Sequence, residues 1–399
     1  MTATVAPDTT DTSGSLISAA TTTAPAPASP VRPARDVRRT AVIATSRRPF
    51  LTESGDRLER VEIAYETWGT LNPGRDNVVL VTHALTGDSH LAAHFPGDQS
   101  GWWEPLVGPG RPIDTDRYFV ICSNMLGSCY GSTGPGSIDP RTGRRYNLDF
   151  PSVTVRDIVR AQQLLLEQLG ISRLHAVVGG SLGGMQVIEW AAMFPEQVDR
   201  IVPIATSGRF NPQGIAYNEV QRRAIMLDPA WQGGNYPDDG GPETGLSLAR
   251  MVGMITYQSE ELMADRFGRN PATRYTNWPE FHGRYDIEGY LHYQGHKLAR
   301  RFDANSYLYL TRAMDSHDVG RDRGGYEAGL ARIQARALLV AIRSDILFWP
   351  QQSREVVDIL RGLGRDARYH EVDSPNGHDA FLKDFDLFAP VLKAFIEEE

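Results

Sequence analysis

The chain has 399 residues, 41% of them hydrophobic and 23% charged, enough to bury a sizeable core in one large or two to three small domains. Its 49 acidic residues outnumber the 41 basic ones, and the formal net charge of -8 argues against a surface whose main task is to hold nucleic acid or an anionic membrane. Two cysteines, Cys122 and Cys129, are too few for a disulfide scaffold or a cysteine-based zinc site and fit a reducing, cytoplasmic compartment.

Of the first 35 residues, 25 are Ala, Thr, Pro or Ser, and no Arg or Lys precedes Arg32. This composition cannot bury enough apolar area to offset ordering, so residues 1–40 are expected to form a disordered tail, without the charged start and apolar run of a secretory signal. From Val42 onward, short β-branched runs alternate with helical patterns, as in an α/β protein with a mostly parallel sheet. The runs Asn77 to His83 and Tyr118 to Ser123 read as buried strands. Asn77 to Leu85, the longest apolar run, falls far short of the roughly 18 residues of a membrane helix. Thr154 and Asp157 resemble a capping box, and Val155, Ile158, Val159, Leu165, Leu166 and Leu169 follow at helical spacing until Gly170. A strand over Leu174 to Val178, a helix from about Gly184 to Met193 and a strand over Ile201 to Ala205 close this half.

Between about Ser207 and Leu330 the alternation stops, and helical patterns appear around Gly245 to Gly268, Ile287 to Arg301 and Ser306 to Met314. The β/α rhythm resumes with strand Ala337 to Ile342, helix Gln351 to Leu363, strand Ala367 to Val372 and a final helix ending near Phe395. The expected organisation is therefore an α/β catalytic domain over 41–206 and 331–399, interrupted by a helical cap over 207–330.

Gly179-Gly-Ser-Leu-Gly183 is a G-x-S-x-G pentapeptide between a predicted strand and a predicted helix, the context of a nucleophile elbow. Small neighbours permit a tight turn that lifts the Ser181 hydroxyl clear of the sheet, and the helix N-terminus offers free N–H groups to an oxyanion. A serine nucleophile needs a base, and in this fold type the order is serine, acid, histidine. Asp345 follows a predicted strand through Arg343-Ser344; its alternative role is to cap the next helix, and Asp373 is a rival acid. Two histidines come after Asp345. His370 lies inside a predicted strand, whereas His378 lies in the loop Ser374 to Asp379, a better seat for a catalytic group. The backbone N–H groups of Leu85 and Leu182 are the candidate oxyanion donors. His83 and His90 beside Asp88 could suggest a metal site, but no further ligand cluster accompanies them in sequence, so they read as a polar loop. Neither a metal nor a bound prosthetic group is expected.

Longer strings carry a resemblance. Thr82 to His90, Gly101 to Glu104, Gly108 to Phe119, Leu126 to Pro135, Gly179 to Gln186, Phe302 to Tyr307, Ser344-Asp345 and Gly377 to Asp379 are similar to the homoserine O-acetyltransferases of the α/β-hydrolase fold, over roughly nine-tenths of the chain. The family often has Gly where this chain has Ser128. The resemblance implies acetyl transfer from acetyl-CoA, as co-substrate, to L-homoserine on the way to methionine. It makes Ser181 the nucleophile, Asp345 the orienting acid and His378 the base. It also implies that Arg250 pairs with the homoserine carboxylate, that Asp379 holds its ammonium, and that the enzyme is a homodimer joined through the cap. Tyr257, two helical turns beyond Arg250, could add a hydroxyl. Relatives that use succinyl-CoA or accept serine share most of these strings, and an esterase could carry the same triad, so both readings stay open. Cys129 could be read as a second nucleophile or as a small packed residue.

Overall fold

The short apolar runs become the inner strands of one eight-stranded sheet. In the computed structural model, which describes residues 37–237, 240–272 and 284–398, the strands are β1 (Arg39–Ala44), β2 (Val61–Trp68), β3 (Val78–Thr82), β4 (Phe119–Ser123), β5 (Ala176–Gly180), β6 (Arg200–Ile204), β7 (Arg336–Ile342) and β8 (Ala367–Val372). Their order across the sheet is β1-β2-β4-β3-β5-β6-β7-β8. Pairing is antiparallel from β1 through β2 to β4 and parallel from there on.

Uniformly apolar strands are what a sheet covered on both faces requires. Val78, Leu80, Ile121, Val177, Ile201 and Leu339 belong to the core on one face, together with residues of α1 (Val155–Gln168) and α2 (Leu182–Met193). Their alternating neighbours Val79, Val81, Val120, Val178, Val202 and Val340 belong to the other, with Phe388, Leu392 and Phe395 of α10 (Phe385–Glu397). Truncating a fully buried member such as Leu80 to Ala would cost about 2–5 kcal/mol.

Thr154 caps α1 as its sequence suggests. Its hydroxyl accepts from Asp157 N at 3.2 Å, and the Asp157 carboxylate accepts from Thr154 N at 3.1 Å. The first strand corrects the expected tail boundary, because β1 begins at Arg39 and pairs with β2, Arg39 facing Tyr65. The rest of the predicted tail, 1–36, lies outside the described residues.

Between β6 and β7 the chain forms α3 (Pro212–Leu227), α4 (Glu243–Tyr257), α5 (Glu260–Phe267), α6 (Asp286–Ala299), α7 (Ala304–Asp315) and the short α8 (Tyr326–Leu330); among the described residues no strand of the main sheet comes from this stretch. Helix α3 has no counterpart in the sequence reading. Its mixed Gln, Arg and Asn content hides the apolar stripe, yet Asn211 caps it, accepting from Gly214 N at 2.8 Å, with Pro212 in its first turn. The helical pattern around Gly245 to Gly268 resolves into two helices separated at extended Gln258, where the Ser259 hydroxyl accepts from Leu262 N at 3.0 Å and starts α5. Helix α4 packs on α3, on α6 and on the segment Gly377–Leu382 that follows β8, which brings the inserted helices over the carboxyl ends of the parallel strands. Helix α9 (Pro350–Gly362) and α10 complete the fold. No helix among the described residues is long and apolar enough to cross a membrane.

Candidate active site

Ser181 sits between β5 and α2 with φ 59° and ψ -125°, a conformation that L-residues rarely adopt. Its neighbours explain how the chain tolerates the turn. A Cβ on Gly179 would lie 2.1 Å from Thr82 Oγ1, and one on Gly183 would lie 2.2 Å from the Thr82 carbonyl oxygen. The elbow therefore nests against the end of β3, where Thr82 Oγ1 donates to the Gly183 carbonyl at 2.9 Å. A Cβ on Gly184 would lie 2.5 Å from Thr206 Cγ2, so this glycine too is required by close packing; α2 starts at Leu182, two residues before the predicted Gly184, and runs through both glycines. The Ser181 amide donates to Ile204 at 2.9 Å, and Thr206 Oγ1 donates to the Ser181 carbonyl at 3.0 Å. Backbone strain at the expected nucleophile is thus held from β3 and β6 together.

Asp345 and His378 follow β7 and β8, at the same carboxyl edge of the sheet. His378 Nδ1 lies 2.7 Å from Asp345 Oδ2, and both side chains are buried. The other carboxylate oxygen, Oδ1, accepts from the N–H groups of Leu347 at 2.8 Å and Phe348 at 2.9 Å. One oxygen fixes the carboxylate and the other fixes the imidazole. Phe348 stacks on the His378 ring at 5.2 Å and Phe381 meets it edge-on at 5.6 Å, so the ring is held on several sides. The rival residues lie elsewhere. His370 is paired within β8 opposite Val340, and Asp373 is exposed in an ion pair with Arg343. Helix α9 is capped at Trp349, which leaves Asp345 outside a capping role.

The candidate oxyanion donors lie just after β5 and β3. Leu182 N opens α2, whose first backbone bond is Met185 N to Ser181 O at 3.0 Å, so the Leu182 amide precedes the helical ladder. Leu85 lies in the turn closed by Gly87 N to Ala84 O at 2.9 Å. His83 braces that turn: Met125 N donates to its Nε2 at 3.2 Å, so Nδ1 carries the proton and donates to Ala84 O at 2.9 Å. Burial holds the His83 pKa below the usual range.

The cap supplies the remaining candidates. Tyr257, at the end of α4, lies 5.8 Å from the His378 ring, and the Arg250 guanidinium sits 5.2 Å from the Tyr257 ring. Among the described residues Arg250 has no carboxylate partner, which leaves its fork available to an anionic group. Asp379 is close to the same cluster but pairs with Lys383 Nζ at 3.2 Å. Tyr307 is a residue to which the sequence reading gave no role, although its family string ends there. It is fully buried, and its hydroxyl meets Gln221 Oε1 and the Tyr257 hydroxyl. Burial pushes the pKa of both phenols up. Cys129 accepts from Asp303 N at 3.5 Å, and burial pushes its thiol up to about 12, so it is a packed group and a poor nucleophile.

One expectation needs correction. His90 does have ligand-type neighbours, because the fold brings Glu66 from β2, distant in sequence, against His90 and His94, which lies four residues further along the same segment. The Glu66 Oε2 atom accepts from His90 Nδ1 at 2.8 Å and from His94 Nε2 at 3.0 Å. Arg38 Nε and Ser89 Oγ donate to Oε1 at 3.2 and 2.9 Å. Glu66 and Asp88 are balanced by Arg38 and a protonated His90. The Glu66 hydrogen bond, against the opposing effect of burial, raises the His90 pKa to about 9.

A mainly parallel sheet with a strained serine turn at its centre, and an acid and a histidine after the next strands, defines an α/β-hydrolase-fold protein; the family described as alpha/beta hydrolase fold matches residues 77–385. Within that fold, the chain belongs to the homoserine O-acetyltransferase family. It is 57% identical over 364 residues to the homoserine O-acetyltransferase of Symbiobacterium thermophilum, covering 90% of this chain and 95% of that one. The crystal structure of homoserine O-acetyltransferase from Bacillus anthracis superposes with a TM-score of 0.85 at 31% identity, covering 92% of this chain and 99% of that chain. Esterase E22 is also similar in structure, with a TM-score of 0.83 at 32% identity over 90% of this chain and 99% of its own.

Proposed function

We infer that this chain transfers an acetyl group from acetyl-CoA to the hydroxyl of L-homoserine through an acyl-serine, a step toward methionine. The observation that carries the reading is 57% identity to a homoserine O-acetyltransferase over nine-tenths of the chain, joined to a buried Asp345–His378 pair and a strained Ser181 that all follow strands of one sheet at their carboxyl ends. His378 takes the Ser181 proton as the hydroxyl attacks the thioester carbonyl. The Leu85 and Leu182 amides stabilise the oxyanion, and CoA leaves as the thiol. Homoserine then enters, the same imidazole removes its hydroxyl proton, and attack on the acyl-serine releases O-acetylhomoserine.

Arg250 pairs with the homoserine carboxylate through its bidentate fork, and Asp379 holds the ammonium in exchange for Lys383. Tyr257 stands between that subsite and the base. The cap excludes water from an intermediate that would otherwise hydrolyse. The structural similarity to an esterase favours hydrolysis as a second reading, in which water replaces homoserine in the second half-reaction. A donor panel of acetyl-CoA and succinyl-CoA against homoserine, serine and water, read by mass spectrometry of the product and repeated with Ser181→Ala, decides between them. O-Acetylhomoserine as the main product supports the transferase, and free acetate formed at a rate indifferent to homoserine overturns it.

The enzyme works in the cytoplasm as a homodimer in this reading. Val220 and Leu227 on α3, Leu248 and Ile255 on α4 and Tyr293 on α6 expose large apolar side chains on the packed helices of the cap, a surface suited to a second copy. Sedimentation at the mass of one chain would contradict the dimer.

A further inference from the structure

The segment 83–94 carries the Leu85 amide near one end, and the structure braces it from two directions. From within the sheet comes Glu66, paired with Cys122 of β4 and buried to 2% exposure. Its carboxylate collects Ser89 Oγ, His90 Nδ1 and His94 Nε2, three side chains of this one segment, at 2.9, 2.8 and 3.0 Å. His90 is fixed at its other nitrogen as well, 2.7 Å from the Gln99 carbonyl. From the cap comes Arg301, just before α7, whose Nη1 donates to the Thr86 carbonyl at 3.0 Å and to the Tyr130 hydroxyl at 2.7 Å. Thr86 is the residue after Leu85, inside the same turn.

We propose that Glu66 and Arg301 are positioning residues for acyl transfer, holding the 83–94 segment so that the Leu85 amide stays aimed at the oxyanion. The inference rests on the reading of Leu85 as an oxyanion donor in an acyl-serine mechanism. Its physical basis is that an oxyanion donor acts only when fixed in advance. A turn free to shift by an ångström loses most of its effect, and the turn's own bonds, Gly87 N and His83 Nδ1 to the Ala84 carbonyl, leave the Leu85 and Thr86 peptide to be held from outside. The buried anion draws three donors of the segment to one point, and the guanidinium ties the turn to the helices that close the site. Neither residue touches the reacting atoms in this arrangement.

The test compares wild type, Glu66→Gln, Ser89→Ala and Arg301→Met. Thiol release from acetyl-CoA is followed by stopped flow, with the burst amplitude used to count active sites. Affinity for a small alkyl boronic acid, which forms a tetrahedral adduct on the serine, is measured alongside. A merely structural role lowers burst amplitude and thermal stability but leaves the rate per active site unchanged. The positioning role predicts an acylation rate per active site about 10- to 100-fold lower in Glu66→Gln and several-fold lower in Arg301→Met and Ser89→Ala. Boronate affinity should fall in parallel, while KM for acetyl-CoA changes less than about threefold. Should Glu66→Gln fail to fold, the other two variants carry the same comparison. Unchanged rates per active site and unchanged boronate affinity overturn the proposal. Wild-type protein that forms no acyl-serine would instead bring down the acyl-serine reading, and this inference with it.

Discussion

Asp345→Asn isolates the orienting role of one atom. In the native site Asp345 Oδ1 accepts two backbone N–H groups, from Leu347 and Phe348, at 2.8 and 2.9 Å, and Oδ2 faces His378 Nδ1 at 2.7 Å. Only the carbonyl oxygen of an asparagine can accept those two donors, so its NH2 must take the Oδ2 position and point at the imidazole. Nδ1 is then forced to accept, the ring proton moves to Nε2, and the nitrogen needed to take the Ser181 proton is blocked. A serine-hydrolase triad with the wrong tautomer loses about 10⁴ in kcat, which corresponds to about 5.5 kcal/mol of barrier. Stability should change little, because the two backbone donors keep their acceptor. The assay is single-turnover thiol release from acetyl-CoA, with thermal unfolding of the same preparation. A loss of kcat below about tenfold in a variant that melts like wild type would refute the assignment of Asp345 as the orienting acid.

Four further outcomes follow from the same geometry. Ser181→Gly, which relieves a strained φ of 59°, should melt higher than wild type by a margin equivalent to about 1–3 kcal/mol, whereas Ser181→Ala, equally inactive, should gain none of it. Gly183→Ala would push a Cβ to 2.2 Å from the Thr82 carbonyl oxygen, so the variant should lose about 3 kcal/mol or more, or fail to fold, as read by urea unfolding. Arg250→Lys keeps the charge but loses the fork; KM for homoserine should rise about tenfold or more while acylation by acetyl-CoA is unaffected. His90 has its pKa raised to about 9 by its hydrogen bond to Glu66, above the roughly 6.5 of an unfolded histidine, so its pairing contributes stability that is whole below pH 6.5 and lost as the pH rises through 9. Unfolding free energies at pH 6 and pH 9.5 should therefore differ more in wild type than in His90→Gln, and equal differences would remove the ion pair from the account.

The parallel core was legible because strands buried on both faces must be uniformly apolar, and Asn77 to His83 and Tyr118 to Ser123 differ from the observed β3 and β4 by a residue at each of one or two ends. The elbow was legible for a related reason: Gly179 and Gly183 are required by contact with Thr82, so a steric demand left its mark on residue identity. Asp345 and His378 could be ordered by chain position, but their separation from Asp373 and His370 is a tertiary fact, set by where β7 and β8 end. Helix α3 escaped notice because its buried residues Asn218, Gln221 and Arg222 are polar and pair with residues such as Asp315 and Tyr307, so no apolar period advertises the helix. The Glu66 cluster escaped for a different reason. A carboxylate on one strand and histidines 24 and 28 residues later meet only through sheet pairing and a long loop.

The most direct test of the acyl-serine account is the mass of the enzyme after mixing with acetyl-CoA alone and then with L-homoserine. One acetyl group should appear on Ser181, persist in the absence of acceptor, and move quantitatively to homoserine when it is added, with no label on Ser181→Ala. Acetyl that never resides on Ser181, or that leaves to water at the same rate with and without homoserine, would contradict it.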